Sequence, residues 1–342
     1  MTTTPPTGRS SGGPGAGPPA WRPGARRAML WSSAAGLLLA LAGALVAWSW
    51  RDELPAQVAS HWSGAGAPDG FSSVGSFLLV GILLAVGLCA VFAAIGWAWG
   101  AAASTRRLAA GGCVWSGAFA AAVLLTSLAP QRGLADASEA TDPGWALALS
   151  LLLPLVPACL AAALVPGDRR LPSDAPVAAG AARAVLHDGE RAAWFRRAAG
   201  GPGLAVAAVA ILITTVLAVV LETWAMLVVP VLLAGLFAAM FAFTVRVDAT
   251  GLTVRSVLGW PGTHVPADEV VAASVTEVSP FAEFGGWGWR AGPGGRVGVV
   301  LRRGESLLVE RTGGRSLVVT VDDAASAAGL LNTLADRARA TG

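Results

Sequence analysis

The sequence has no lysine and no tyrosine, only three cysteines and three histidines among 342 residues, and little charge of either sign. Without lysine there is no Ser-x-x-Lys pair and no Gly-Lys-Ser/Thr phosphate loop, and none of the three histidines starts a His-Glu-x-x-His metal motif. Cys89, Cys113 and Cys159 fall in or beside apolar stretches without metal-like spacing and are read as small packing residues. His61, His187 and His264 are too scattered to draw a zinc site, so neither metal nor cofactor is expected. Charged residues make up 13% of the chain, against roughly 25% in soluble domains. With 54% hydrophobic residues and a mean hydropathy of +0.62, membrane insertion is the simplest explanation. The formal charge of +3 is small and gathered at the ends of apolar runs, which excludes a nucleic-acid partner. Basic residues that are all arginine suit a GC-rich bacterial genome.

What the chain does contain is apolar runs of spanning length. Residues 1–28 form a Thr/Pro/Gly/Ser-rich tail that cannot bury an apolar face, and disorder is expected there. Spans are predicted over Met29–Trp50, Val74–Gly100, Leu108–Ala129, Gly144–Val165, Gly203–Leu221 and Trp224–Phe243. The first could be a cleaved leader ending at Ala42-Gly43-Ala44, but its length and its terminal Trp48 and Trp50 fit a span with an interfacial belt. Pro154 and Pro157 should kink the fourth span. The fold class expected is therefore a six-helix polytopic membrane protein.

Arginine placement gives a direction. Arg26 and Arg27 open the first span, Arg106 and Arg107 separate the second from the third, and Arg169, Arg170, Arg183, Arg191, Arg196 and Arg197 lie between the fourth and fifth. The alternate loops carry Arg51 and Arg132 against Asp52, Glu53, Asp69, Asp136, Glu139 and Asp142. The positive-inside rule then places both termini in the cytoplasm and loops 51–73 and 130–143 outside.

Residues 166–202 form a cytoplasmic linker. Within it Ala181–Ala199 reads as an interfacial helix on anionic lipid, with Trp194, Phe195, Arg196 and Arg197 as contacts, or as a solvated linker packed on the C-terminal domain. After residues 203–243 the period changes to two. Strands are predicted at Phe243–Val247, Leu252–Leu258, around His264, and at Val270–Val278, Val297–Arg302, Ser306–Arg311 and Leu317–Val321. A closing amphipathic helix begins at Asp322 or Asp323. Seven strands and a C-terminal helix, with the Phe284–Arg290 stretch and a Gly-rich turn before Leu-Val-Val, resemble bacterial membrane-associated PH-like domains. That resemblance implies a cytoplasmic β barrel over residues 244–342, its open end plugged by the helix. Trp287, Trp289 and Arg290 would dock on the bilayer interface or on helix ends, or else anchor a flexible loop.

The most specific signal is in the first outer loop: Leu54-Pro55, then His61, then Gly66-Ala67-Pro68-Asp69-Gly70-Phe71. Pro68-Asp69-Gly70 is turn chemistry, and His61 and Asp69 can meet across such a turn. The string resembles the signature of domain of unknown function 1648, which also forms the N-terminal part of SdpI-type immunity and signalling proteins. Ala59 departs from that pattern, where a second proline is usual, as does the residue after Phe71, where a basic residue is common. Pro55, His61, Gly66, Pro68, Asp69 and Gly70 are thus candidate recognition residues, with His61 and Asp69 a sensing pair or parts of a rigid turn. His61 lies outside and the other two histidines inside, so they share no catalytic site, and the spans lack the midplane charges of a coupled transporter. The expectation is a non-enzymatic envelope protein for sensing, immunity or signalling, with the lipid bilayer and an envelope protein as partners. The rival reading is a passive assembly factor.

Overall fold

The computed structural model describes residues 22–63, 66–292 and 295–340. The expected tail falls outside this range up to residue 21, while residues 22–28 are already helical. Helix α1 runs Arg22–Ser49, beginning seven residues before the predicted span because Pro23 is tolerated in a first turn, where its missing N–H has no helical acceptor. Strands β1 (Val58–Trp62) and β2 (Pro68–Ser72) follow. Helix α2 (Val74–Trp99) is capped by the Ser73 side chain, which accepts from the Ser76 amide at 3.2 Å, and α3 covers Ala103–Leu128. The fourth span is two helices, α4 (Gly144–Leu152) and α5 (Leu155–Leu164). The break falls at Leu153-Pro154, where proline lacks the donor that would continue the ladder; Pro157 lies in the first turn of α5, where that loss is harmless.

Among the described residues six helical stretches are long and apolar enough to cross a membrane. Helix α3 is the axis of the bundle, packing against α1, α2, α4 and α5. Its buried face is small: Ala109, Ala110, Gly111, Gly117 and Ala120. A β carbon on Gly117 would lie 1.7 Å from the Gly36 carbonyl oxygen, and one on Gly36 would lie 2.2 Å from that of Cys113, so α1 and α3 cross backbone to backbone. In hydrocarbon this contact must come from close packing, since leucines gain nothing by leaving lipid. Leu38, Leu45, Val80, Leu83 and Leu160 accordingly stay exposed on the outer faces.

Strand β3 (Trp194–Ala199) comes next, then α6 (Pro202–Val220), a 3-10 turn at Trp224–Leu227, and α7 (Val228–Phe241). Strand β4 (Ala242–Asp248) leaves α7 with no intervening residue. β5 (Gly251–Ser256), β6 (Gly262–Pro266) and β7 (Val270–Val278) precede the short helix α8 (Pro280–Phe284). β8 (Gly288–Ala291), β9 (Arg296–Val300), β10 (Gly304–Arg311), β11 (Arg315–Thr320) and helix α9 (Ala324–Ala340) complete the chain. The strands make two sheets, β3-β4-β5-β6 and β7-β10-β11-β9-β8, with β9 and β11 parallel. Inward residues such as Phe243, Val245, Val254, Leu307, Val319 and Leu331 form one core between the sheets and α9.

Three expectations change. The interfacial helix over Ala181–Ala199 is not helical: Trp194–Ala199 is β3, paired antiparallel with β4 from Trp194↔Val247 to Ala199↔Ala242. Alternation was masked because only Trp194 and Ala198 face inward, while β4 would otherwise be an unpaired edge. Residues before β3 are laced to α9: Asn332 Nδ2 donates to the Ala182 carbonyl at 2.8 Å, and Arg183 pairs with Asp336 at 2.9 Å. Second, the β-rich part does not start at residue 244. The α6–α7 hairpin is inserted between two neighbouring strands of one sheet. Third, among the described residues the strands form two sheets of four and five rather than a closed barrel of seven, because β3 and β8 were not recognised in sequence.

The α1–α3 crossing sets a test. Gly117→Val places side-chain atoms in the Gly36 backbone and should lower stability by about 1–3 kcal/mol or more, whereas Gly87→Ala meets no heavy atom within 4 Å and should be silent. Thermal unfolding of the two variants in mild detergent measures the difference; equal midpoints would refute the backbone contact.

Candidate functional site

Strands β1 and β2 form a hairpin over one end of the bundle, the hairpin end. A two-stranded ribbon is marginal by itself, and the anchor here is Gln131, fully buried in the 3-10 turn that continues α3. Its Oε1 accepts from the Ala59 amide at 2.7 Å, and its Nε2 donates to the carbonyls of Ala59 and Ser127, each at 2.9 Å. Proline at position 59 would have no N–H for that contact, which gives Ala59 a physical reason. Trp62 Nε1 donates to the Ala140 carbonyl at 3.3 Å, and Arg132 pairs with Glu53 at 2.7 Å while lying over the Trp50 ring.

The structure brings His61 and Asp69 together, with Nδ1 and Oδ1 2.5 Å apart. Their side chains are 72% and 49% exposed, so the pair contributes at most about 1 kcal/mol to stability and is open to a ligand. The turn chemistry is elsewhere than expected. Pro68, Asp69 and Gly70 lie in β2 rather than between the strands, and the Ser63 amide donates to the Ala67 carbonyl at 2.9 Å just before it. Gly66 has φ +80°, whereas Gly70 has an ordinary φ and is needed because a β carbon there would sit 2.9 Å from His61 Cβ. Pro55 is buried just before β1.

Beneath the hairpin a cleft of about 830 Å³ opens between α4 and the α6–α7 turn. His61, Ser63, Asp142, Glu222 and Thr223 supply its polar rim, and Trp145, Leu147, Leu151, Trp224 and Val228 its apolar walls. Such a lining suits an amphipathic molecule.

The remaining candidates divide. Trp194 is buried, its Nε1 donating to Asp323 Oδ2 at 3.1 Å, and Arg196 pairs with the same carboxylate at 3.2 Å. The Ser326 hydroxyl and then the Trp194 indole hold the Asp323 carboxyl below the usual carboxylate range. Only Phe195 and Arg197 of that group stay exposed and uncommitted to the core. Trp287 and Trp289 pack on the sheet core: Trp287 meets Phe281 edge-on, Trp289 stacks on Phe243, and Gly288 between them lies against Met240 and Phe241 at the end of α7. Arg290 donates to the Trp287 carbonyl at 2.7 Å. The two indoles thus lie on Phe281 and Phe243, and Gly288 is the residue that meets the end of α7.

Sequence reasoning missed a charged junction at the opposite end, the sheet end. Asp168 Oδ1 accepts from Arg106 at 3.0 Å and from the Ala103 amide at 2.9 Å, while its Oδ2 faces Arg315 at 3.7 Å. Glu269, 2% exposed, binds Arg311 at 2.7 Å and Arg315 at 3.2 Å through Oε2 and accepts the Leu171 amide through Oε1. Burial, and then the charge of Arg311, push the Arg315 guanidinium below its ordinary value, and Asp168 and Glu269 oppose this. Arg106 was legible only as an orientation signal, and nothing in a one-dimensional pattern links Asp168 to residues a hundred positions on. Among the described residues no three His, Cys, Asp or Glu side chains gather as a metal-holding group.

Residues 37–84, covering the second half of α1, the hairpin and the first part of α2, match the family model described as Domain of unknown function (DUF1648). No curated protein and no solved structure matches the chain.

Gln131→Ala strands two buried backbone groups of Ala59, each costing about 1–3 kcal/mol. Amide exchange across residues 58–62 and 68–72 should rise well above wild type, whereas His61→Ala should leave it unchanged. An unaltered exchange rate in Gln131→Ala would remove Gln131 as the anchor.

Proposed function

We propose that the chain is a non-enzymatic envelope protein that recognises an amphipathic ligand on the outer face and relays its presence to a cytoplasmic domain, in a sensing, immunity or signalling role. The observation that carries this reading is α3. It is held by a buried polar clamp at each end, Gln131 on the hairpin and Arg106 with the Ala103 amide on Asp168, so displacement of the hairpin acts along one helix on the charged junction. The cleft under the hairpin offers the ligand apolar walls, with Asp142, Glu222 and Asp69 near its mouth, and favours a cationic head. The DUF1648 match over the hairpin and its flanking helices supports placing recognition there.

In this reading both termini are cytoplasmic and the hairpin is outside, as the arginine asymmetry of the loops implies. The C-terminal domain is PH-like, a reading supported by strands in two sheets followed by a C-terminal helix lying across both. Its five-stranded sheet with a parallel β9–β11 pair is an elaboration of that plan.

Two experiments test the proposal. Ser60→Cys in intact cells should react with a membrane-impermeant thiol reagent; labelling only after lysis reverses the orientation. Cells lacking the protein should be more sensitive to cationic amphipathic peptides. Wild type should restore resistance, whereas His61→Ala, Asp69→Ala and the cleft-filling Leu151→Trp should not, at equal protein levels. Full protection by all three variants would sink the ligand role. Capture of a stoichiometric envelope protein, together with unchanged peptide sensitivity on deletion, would establish the assembly-factor reading in its place.

A further inference from the structure

A second cavity, of about 270 Å³, lies at the sheet end between the start of α3, the segment after α5 and the β5–β6 turn. Three arginines line it. Arg107 donates through Nε to the Val165 carbonyl at 3.1 Å, and its terminal amino groups meet no acceptor among the described residues. Arg311 is 9% exposed and bound to Glu269 through one amino group, with a buried Nε that has no acceptor. Arg170 is 69% exposed and holds Asp268 at 2.7 Å. Ser104 and Thr263 add hydroxyls, and His264, whose Nδ1 is 2.9 Å from Thr253 Oγ1, adds a ring nitrogen.

Each carboxylate nearby already holds an arginine, and only Asp268 Oδ1 is buried with no partner among the described residues. Asp168 takes Arg106 and the Ala103 amide, Glu269 takes Arg311 and Arg315, and Asp268 takes Arg170. Five arginines thus face three carboxylates, and the surplus charge borders the cavity. Burial first, then the charge of Arg311 and more weakly that of Arg106, depress the Arg315 guanidinium beside the cavity. A cavity walled by planar guanidinium forks and hydroxyls is suited to a phosphate group.

The β5–β6 turn says where such a phosphate comes from. Val257, Leu258 and Trp260 are 55%, 60% and 49% exposed, a run of apolar side chains on a polar domain. The turn is fastened to the last turn of α7, with the Val257 amide donating to the Ala242 carbonyl at 3.0 Å and Ser256 Oγ to that of Ala238 at 3.5 Å. Its side chains therefore stand at the level where the helices leave the membrane, the level at which tryptophan settles in bilayers. Trp260 also lines the cavity. A free phosphate would account for the arginines but not for the apolar turn beside them.

We infer that this cavity binds the phosphate of an anionic lipid headgroup in the sheet-end leaflet, with the Val257–Trp260 turn inserted alongside it among the acyl chains. The site is built from α3, the post-α5 segment, β6 and β10, so an occupied headgroup pocket braces the junction between the bundle and the sheets.

The full chain in mild detergent, titrated with phosphatidylglycerol or phosphatidylcholine and examined by native mass spectrometry, tests this. Wild type should retain phosphatidylglycerol in preference to phosphatidylcholine. Arg107→Gln combined with Arg170→Gln should weaken retention about tenfold or more, from roughly 1 kcal/mol per arginine, with an unchanged thermal midpoint in lipid-free detergent. Arg170→Gln alone, at an exposed position, should give a smaller loss and serves if the double variant does not fold. Equal retention of both lipids, or wild-type retention in Arg170→Gln and in a folded double variant, overturns the inference. Stabilisation by inorganic phosphate equal to that by phosphatidylglycerol, with displacement of bound lipid, assigns the pocket to a soluble phosphate and overturns the lipid version.

Discussion

Asp168, three residues past the Val165 cap of α5, is where the membrane bundle and the β sheets become one object. One of its oxygens takes the first amide of α3 and the Arg106 guanidinium, and the other faces Arg315 on β11. Arg315 is shared with Glu269, which also binds Arg311 and the Leu171 amide. Buried charges of this kind are weak contributors to net stability when intact and expensive to break, because losing one partner leaves the other desolvated and alone. Their effect is to permit a single arrangement of parts. The start of α3, the end of β10 and the start of β11 cannot slide past one another without exposing a charge to a medium that does not solvate it.

The rest of the topology reinforces that constraint. The four-stranded sheet is entered from β3, leaves through α6 into the membrane, and is re-entered from α7 as β4, with Phe241 the last helical residue and Ala242 the first of the strand. A domain joined to a bundle by one linker is free to swing. This one is held by the segment through Asp168, by the β3–α6 passage and by the α7–β4 passage, and Gly288 of the other sheet lies against Met240 and Phe241 at the end of α7. Such a domain is suited to respond to small axial or tilting movements of helices, because none of its attachments can absorb them.

The spans and the strands from β4 onward were legible because each leaves a local period: long apolar runs for helices and alternation of two for Phe243–Val247 or Leu317–Val321. Pro154 broke its helix where its chemistry says it must. The errors share a cause. β3 has only two inward residues and lies among arginines, so its sequence has the look of an amphipathic helix; its identity comes from β4, which is separated from it by an entire membrane hairpin. The position of the hairpin reversal failed on a residue-level ambiguity. Pro68-Asp69-Gly70 has the composition of a turn, but glycine at position 70 serves to leave room for His61 across the ribbon. The His61–Asp69 contact was legible because both residues lie on one short hairpin, while Gln131 was not, since a lone glutamine seventy residues away carries no local mark of its task.

The distribution of polar groups explains why both sites sit at helix ends. Within the spans hydroxyls mostly close on their own helices, as Ser32 does on Ala28, Ser116 on Gly112 and Thr214 on Ala210, while Thr126 with Ser150 and Ser33 with Cys113 reach across helices, and Thr105 at the start of α3 has no partner among the described residues. Groups satisfied in this way offer nothing to a passing ion, because taking one up would mean giving back a bond that lipid cannot replace. A ligand can therefore be held only where the backbone leaves the helical ladder and polar side chains meet water. The hairpin end and the charged junction are two such places, and in each the polar groups border apolar surface: Leu151 and Trp224 line the cleft with His61, and Trp260 lines the cavity with Arg107 and Arg170. A purely ionic ligand would leave that apolar surface wet, and a purely apolar one would desolvate the charges, so the ligands proposed for the two ends both carry an apolar and a charged part.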